Sequence, residues 1–385
     1  MKRNKKIVPR LLAGVCVLSL LGAVLFSGKT YGKEQNASTD AVEVLLSEMT
    51  LEEKVYQMFI VTPEQLTGVS KVTAAGNLTK QKLKQYPVGG LVYFSANLVS
   101  RNQTKTMLTK VQKYANEIEG VDLFLCVDEE GGRVARVANN KAFRVKNVGP
   151  MANVSSEKEA YDCGETIGAY LSELGFNVNF APDADVLTKS GSVVIGDSSF
   201  GSDAVLVTKY AVAYSNGLHA HGIMSTFKHF PGHGATEADT HEGYAYTNET
   251  YEELMATELQ PFSAAQVCGV DLVMVAHISA PNIVGDDTPC SLSEKMITGI
   301  LRTDLGYDGL VITDAMNMGA IAKNYDSGVA AKMAVKAGVD IILMPGDFQA
   351  AYSGLYTAVL SGEISEDRID ESVRRILTAK ISKLS

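Results

Sequence analysis

Apolar residues in this 385-residue chain collect in eight short runs, at 58–61, 90–94, 123–127, 176–180, 223–227, 272–276, 310–313 and 341–344. Most are uniformly apolar rather than alternating, the pattern of parallel strands covered on both faces. Each run gives way to a polar or glycine-rich turn. Helical periodicity then fills the gaps at 105–118, 157–174, 204–221, 252–268, 293–305 and 327–337. Strand and helix alternating in this way predict an α/β fold, a (β/α)8 barrel in a single domain, with a doubly wound open sheet as the alternative. No dinucleotide-binding or phosphate-loop glycine motif supports that alternative. Residues 40–59 read as an amphipathic helix pair in which Thr50 and Glu53 have capping-box spacing. A last helix starts near Ser365, with Glu366 and Asp367 in its first turn and Arg374, Arg375, Lys380 and Lys383 towards its end, a charge order that complements the helix dipole.

The first 32 residues break this pattern. Five basic residues within 1–10 precede sixteen uncharged residues, 11–26, and then small and polar ones. That is the layout of a secretory signal, and sixteen residues are short for a membrane span. Residues 1–32 are therefore expected to be a signal peptide or an N-terminal anchor, and 33–385 the barrel domain. The expected location is outside the cell or in its envelope, with membrane attachment through the N-terminal segment only. Residues 33–385 carry 29 basic against 44 acidic residues, a poor match for nucleic acid. Cys126, Cys163, Cys268 and Cys290 show no paired spacing and read as buried thiols.

Chemistry concentrates in one stretch, K-H-F-P-G-H-G-A-T-E-A-D-T-H at 228–241, which holds three of the six histidines. Pro231, Gly232 and Gly234 exclude a helix, so its polar groups are expected on a loop after the fifth strand. In a barrel, groups just after the strands converge at one mouth. Those positions here are Asp128, Asp183, Asp185, Lys228, His229, His277 and Asp314. A charge directly after an apolar strand is costly without a partner or a task. Asp239 and His241 are two apart, so on an extended segment the carboxylate reaches the imidazole and favours its protonated form. The chain thus offers a carboxylate nucleophile, Asp314, and a histidine acid/base, His241, on different loops. Retaining sugar hydrolysis asks for this pair of roles.

Three segments carry a resemblance: V-D-E-E-G-G-R-V-A-R at 127–136, the 228–241 stretch, and I-T-D-A-M-N-M at 312–318. From about Leu46 to Ile381 the chain resembles the β-N-acetylhexosaminidases of glycoside hydrolase family 3, of the type that acts in bacterial cell-wall recycling. The resemblance implies a retaining exo-enzyme acting on terminal N-acetylglucosamine of peptidoglycan fragments or related glycosides. It implies Asp314 as nucleophile, His241 as acid/base oriented by Asp239, and Asp128, Arg136, Lys228 and His229 as hydrogen-bonding partners of the terminal sugar. It implies no metal and no cofactor, and a small carbohydrate or muropeptide as partner. One position departs from the pattern. In I-G-D-S-S-F-G at 195–201, Ser198 stands where a substrate-binding arginine is expected. A serine cannot supply a charged bidentate fork, which puts affinity and substrate choice in question. Lys189 is a candidate to compensate.

Other readings stay open at this level. They are a family member of altered specificity, a β-glucosidase or a phosphorolytic N-acetylglucosaminidase, and a non-catalytic sugar-binding barrel. A metal-dependent hydrolase using His229, His233, Asp239, His241 and His277 is disfavoured, because Pro231 and Gly232 prevent the helix that would make the i, i+4 spacing useful. With no tryptophan in the chain, sugar stacking falls to Phe230 or Tyr244, and Met316 and Met318 flank the nucleophile as candidates for the pocket wall.

Overall fold

The structure is a computed structural model that describes residues 31–188, 195–236, 240, 243 and 245–384. The leader reading of residues 1–32 rests on positions that, Tyr31 and Gly32 apart, lie outside the described residues, as do Lys189, Asp239, His241 and Tyr244. The chain divides into two compact units, Met1–Ala37 and Ser38–Ser385. Among the described residues no helix is long and apolar enough to cross a membrane.

Eight parallel strands form the second unit: β1 (Phe59–Val61), β2 (Gly90–Tyr93), β3 (Phe124–Val127), β4 (Val178–Asn179), β5 (Thr226–Phe230), β6 (Leu272–Val275), β7 (Leu310–Thr313) and β8 (Ile342–Leu343). Consecutive strands pair throughout, and β8 pairs back onto β1 with Phe59 opposite Ile342. The β4–β5 and β7–β8 joins are single bridges, Val178 with Met224 and Ile312 with Ile341. The sheet therefore closes into the (β/α)8 barrel, and the open-sheet alternative falls. All eight runs became strands because each is buried on both faces, by side chains inside the barrel and by helices outside.

Three local readings change. The fifth strand runs to Phe230, so Lys228 and His229 lie in β5 rather than on the loop after it. A register shift against β6 between Phe227 and Phe230 accommodates them, and the buried lysine has two carboxylate partners. The helix expected at 252–268 breaks into Tyr251–Ala256 and Leu259–Ala265. Pro261 has no N–H to give the carbonyl of Thr257, so it is tolerated only in the first turn of a new helix. Cys126 and Cys290 are buried, but Cys163 and Cys268 are only half-buried; all four are free thiols.

Segment 127–136 builds an antiparallel hairpin, Glu129–Gly131 with Val134–Ala135, directly after β3. Gly131 has φ 107°, and a Cβ there would stand 2.6 Å from the carbonyl oxygen of Gly149, so the turn requires glycine. Asn147 clasps the turn, accepting from the Gly132 N–H at 2.9 Å and donating to the Gly132 carbonyl at 2.7 Å.

The C-terminal helix Glu366–Leu384 seals the N-terminal end of the barrel. Its Lys380 does not lie on an exposed basic end. It is buried, donates to Gln57 Oε1 at 2.8 Å, and burial pushes its pKa down to about 7. The same helix grips Asp340, which is fully buried before β8. Asp340 accepts from Arg302 at 2.6 Å, Ser372 at 2.8 Å, the Val311 amide at 2.9 Å and Arg375 at 3.4 Å. Removing this carboxylate strands buried positive charge. Asp340→Ala is expected to lower stability by about 3–5 kcal/mol, read by denaturant unfolding. A loss below about 1 kcal/mol would show that the latch is not needed.

Candidate active site

The C-terminal ends of β3, β5 and β7, with the loop after β4, enclose a cavity of about 210 Å³. Asp128, Lys228, His229 and Asp314, each expected at the mouth, line it together with Arg136, which the resemblance implies as a partner of the sugar. Glu130, Asp183 and Ser198 join them, and Phe94, Phe180, Met274, Met318 and Met344 supply apolar wall. A larger cavity, about 510 Å³, lies at the other end of the barrel beside the C-terminal helix. Its charges are already paired, Arg374 with Glu43, Lys383 with Asp271 and Arg375 with Asp308, so it presents no site of comparable chemistry.

Lys228 is buried, with Nζ 3.1 Å from Asp128 Oδ1 and 2.6 Å from Glu130 Oε1. Burial works against its charge, but Glu130 and Asp128 outweigh it and hold the ammonium protonated well above the usual lysine range. Asp128 and Glu130 share a face because they are two apart on an extended segment. Glu129, between them, points the other way and is satisfied by the Val137 and Ala138 amides and the Tyr170 hydroxyl. That alternation was legible in D-E-E and would have singled out Glu130, which the sequence reading passed over.

His229 Nδ1 lies 2.7 Å from Asp185 Oδ2. Burial opposes its protonation, yet the charge and hydrogen bond of Asp185 prevail and raise its pKa to about 9. Asp185 is correspondingly held ionised. Burial would raise its pKa, but His229 more than offsets this, and its Oδ1 accepts from the His233 amide at 2.6 Å. Asp314 follows β7 with its amide bonded to Val275 O at 2.9 Å, and Oδ1 accepts from the Ala315 amide at 2.7 Å. Burial again favours the neutral acid, but the positive field of His229, His277 and Lys228 and the Ala315 amide keep the carboxyl below its ordinary pKa. The site thus holds an ionised carboxylate at the cavity wall, opposite two buried cations.

Other candidates are placed differently. His277 does not line the cavity. Its Nδ1 meets Ser291 Oγ at 2.7 Å and its Nε2 meets the carbonyl oxygen of Ala315 at 3.1 Å, beside the nucleophile candidate. Phe230 is fully buried against Phe262 with ring centroids 5.4 Å apart, so it is core rather than a stacking platform. Met318 lines the cavity, whereas Met316 is packed in the core. His233 is bonded to Thr236 and Thr240. Among the described residues, His229 is the one histidine weighed as a metal ligand that shares a cluster, with Asp183 and Asp185, in which ligand atoms lie within 4.8 Å of one another. There the Asp185–His229 pairing already satisfies both members.

Ser198 lies on a short turn, Gly196–Ser198, and faces the cavity without reaching across it. The neighbouring guanidinium is that of Arg133, which donates to Ile195 O at 2.7 Å and lies 3.2 Å from Asp197 Oδ1. It ties the turn to the hairpin.

Residues 50–379 match the family described as the glycosyl hydrolase family 3 N terminal domain. The chain belongs to glycosyl hydrolase family 3. A family 3 relative from Pseudoalteromonas piscicida, β-hexosaminidase A, is 30% identical over 77% of this chain and 54% of its own. A β-hexosaminidase of Hydrogenovibrio crunogenus is 33% identical over 71% of this chain and 76% of its own. Among solved structures, a family 3 β-N-acetylglucosaminidase from Paenibacillus sp. str. FPU-7 superimposes with TM-score 0.81 and 36% identity, covering 88% of this chain and 64% of that one. The chain therefore spans about half the length of the first relative and just under two thirds of the solved structure.

Proposed function

We propose that this family 3 protein is a retaining, exo-acting β-N-acetylhexosaminidase that removes terminal N-acetylglucosamine. The observation that carries this reading is Asp314, at the wall of a small cavity, where His229, His277, the Ala315 amide and Lys228 hold its carboxyl below the ordinary range. A carboxylate kept charged, with an oxygen at the cavity wall and, among the described residues, no cation bonded to it directly, can attack an anomeric carbon. The β-hexosaminidase and β-N-acetylglucosaminidase relatives support the substrate class.

In the proposed reaction Asp314 attacks the anomeric carbon as the bond to the leaving oxygen breaks. His241, oriented by Asp239, gives that oxygen its proton. The resulting glycosyl ester is then opened by water, whose proton returns to His241, and the β-anomer is released. Lys228, His229, Asp128 and Arg136 hold the ring hydroxyls. Arg136 is well suited, because among the described residues its buried Nε has no hydrogen-bond partner and its guanidinium lies over the Phe94 ring. We assign the natural substrates to cell-wall fragments and the site of action to the outside of the cell or its envelope, on the sequence pattern of residues 1–32.

Hydrolysis of 4-nitrophenyl β-N-acetylglucosaminide, with the first product read by proton NMR, tests the assignment. The β-anomer is expected. An α-anomer would exclude a covalent Asp314 intermediate, and absence of turnover would leave a sugar-binding barrel. Parallel assays with phosphate decide between hydrolysis and phosphorolysis. His241→Ala is expected to cost about 10²–10⁴-fold on substrates with poor leaving groups and far less on activated aryl glycosides, which depart without a proton. Equal losses on both would remove His241 as the acid.

A further inference from the structure

Among the described residues five carboxyl groups crowd this site, and four have a clear electrostatic partner. Asp128 and Glu130 share Lys228, and Asp185 holds His229. Asp314 has the Ala315 amide and lies in the field of His229 and Lys228. Asp183 is different. Its backbone sits on β5, with the Ala184 amide bonded to Lys228 O at 2.7 Å, and its side chain is buried at the cavity wall. Oδ1 accepts one hydrogen bond, from the Asp185 amide at 3.0 Å. Among the described residues Oδ2 has no hydrogen-bond partner, and it is not among the buried atoms sealed off without one, so it opens on the cavity. The ionised groups facing Asp183 are Asp185 on its own loop, Glu130 from the hairpin, and Lys228 and His229 from β5, but both of these cations are already engaged.

Resting on the reading of this cavity as the sugar site, we propose that Asp183 meets the substrate as a neutral carboxylic acid and donates a hydrogen bond from Oδ2 to an oxygen of the bound sugar. One amide donor does not offset the loss of water around a buried carboxylate beside another. Burial first, and then the charge of Asp185, raise its pKa well above the ordinary aspartate value. An ionised Asp183 would offer only acceptors, whereas the protonated acid adds a donor beside Lys228, His229 and Arg136.

The test compares Asp183→Asn with Asp183→Leu in the full chain, on 4-nitrophenyl β-N-acetylglucosaminide across pH. Asparagine keeps the acceptor for the Asp185 amide and replaces the acid O–H by an N–H. Leucine keeps the bulk and removes both. KM of D183L is expected to exceed that of D183N by about tenfold or more, the usual weight of one hydrogen bond in a closed site. Wild-type KM is expected to rise with pH as Asp183 loses its proton. In D183N that rise disappears, and what remains belongs to His229, with its pKa of about 9. D183N as impaired as D183L, or a wild-type pH dependence retained in D183N, would overturn the proposal while the enzyme assignment stood. A wild-type protein that turns over no aryl N-acetylhexosaminide would overturn both.

Discussion

Asp314→Ala is expected to lower kcat on 4-nitrophenyl β-N-acetylglucosaminide by about four orders of magnitude or more, with thermal unfolding close to wild type. The carboxylate lines the cavity and, among the described residues, its side chain accepts one hydrogen bond, from the Ala315 amide, so its loss leaves neither Lys228 nor His229 without another partner. Lys228 retains Asp128 and Glu130, and His229 retains Asp185. The removed volume opens space beside the anomeric carbon. Added azide should therefore restore part of the turnover and form an α-glycosyl azide, because it attacks from the face that Asp314 occupied. Turnover in the variant within tenfold of wild type would remove Asp314 as nucleophile. A β-azide would place the lost carboxylate in the acid/base role instead.

Lys228→Met should have the second largest effect, and it should appear in both activity and stability. Methionine keeps the aliphatic bulk but leaves Asp128 and Glu130 facing each other without their shared cation. Breaking a buried ion pair by removing one partner costs about 3–5 kcal/mol. The two stranded carboxyls would have folded-state pKa values above their unfolded values. Their penalty is thus largest at high pH and shrinks as pH falls and they take up protons. Unfolding in urea at pH 5 and pH 8 would read this as a deficit that is smaller in acid. A deficit independent of pH would mean that the pair is not ionised as described. Because Lys228 also lines the cavity proposed to hold the sugar, kcat/KM should fall by about 10²-fold or more, from the loss of a charged hydrogen bond together with displacement of Asp128.

Much of the site was legible before the fold. Asp128, Lys228, His229 and Asp314 were picked out because a charge at the end of an apolar strand has no local reason to be there, and all four line one cavity. The positions that escaped are those whose role depends on a distant neighbour. Glu130 gains its meaning from Lys228, 98 positions later in the chain. His277 was expected in the cavity but turns to Ser291 and the Ala315 carbonyl. Phe230 was a candidate stacking ring until Phe262 was found packed against it.

The sequence by itself determined that β strands would be parallel and covered on both faces, that eight of them would alternate with helices, and which charged groups would stand at their ends. It could do so because hydrophobic periodicity and strand-end position are local properties, repeated along the chain. Only the tertiary structure decided that β8 returns to β1, that Lys228 and His229 lie within the fifth strand, and which carboxyl shares each cation. Those outcomes depend on distances between residues far apart in sequence. In a buried site the ionisation of an acid follows from its burial and from the charges around it, so His229 holds Asp185 and Asp314 below the ordinary carboxyl range, while burial and the charge of Asp185 push Asp183 above it.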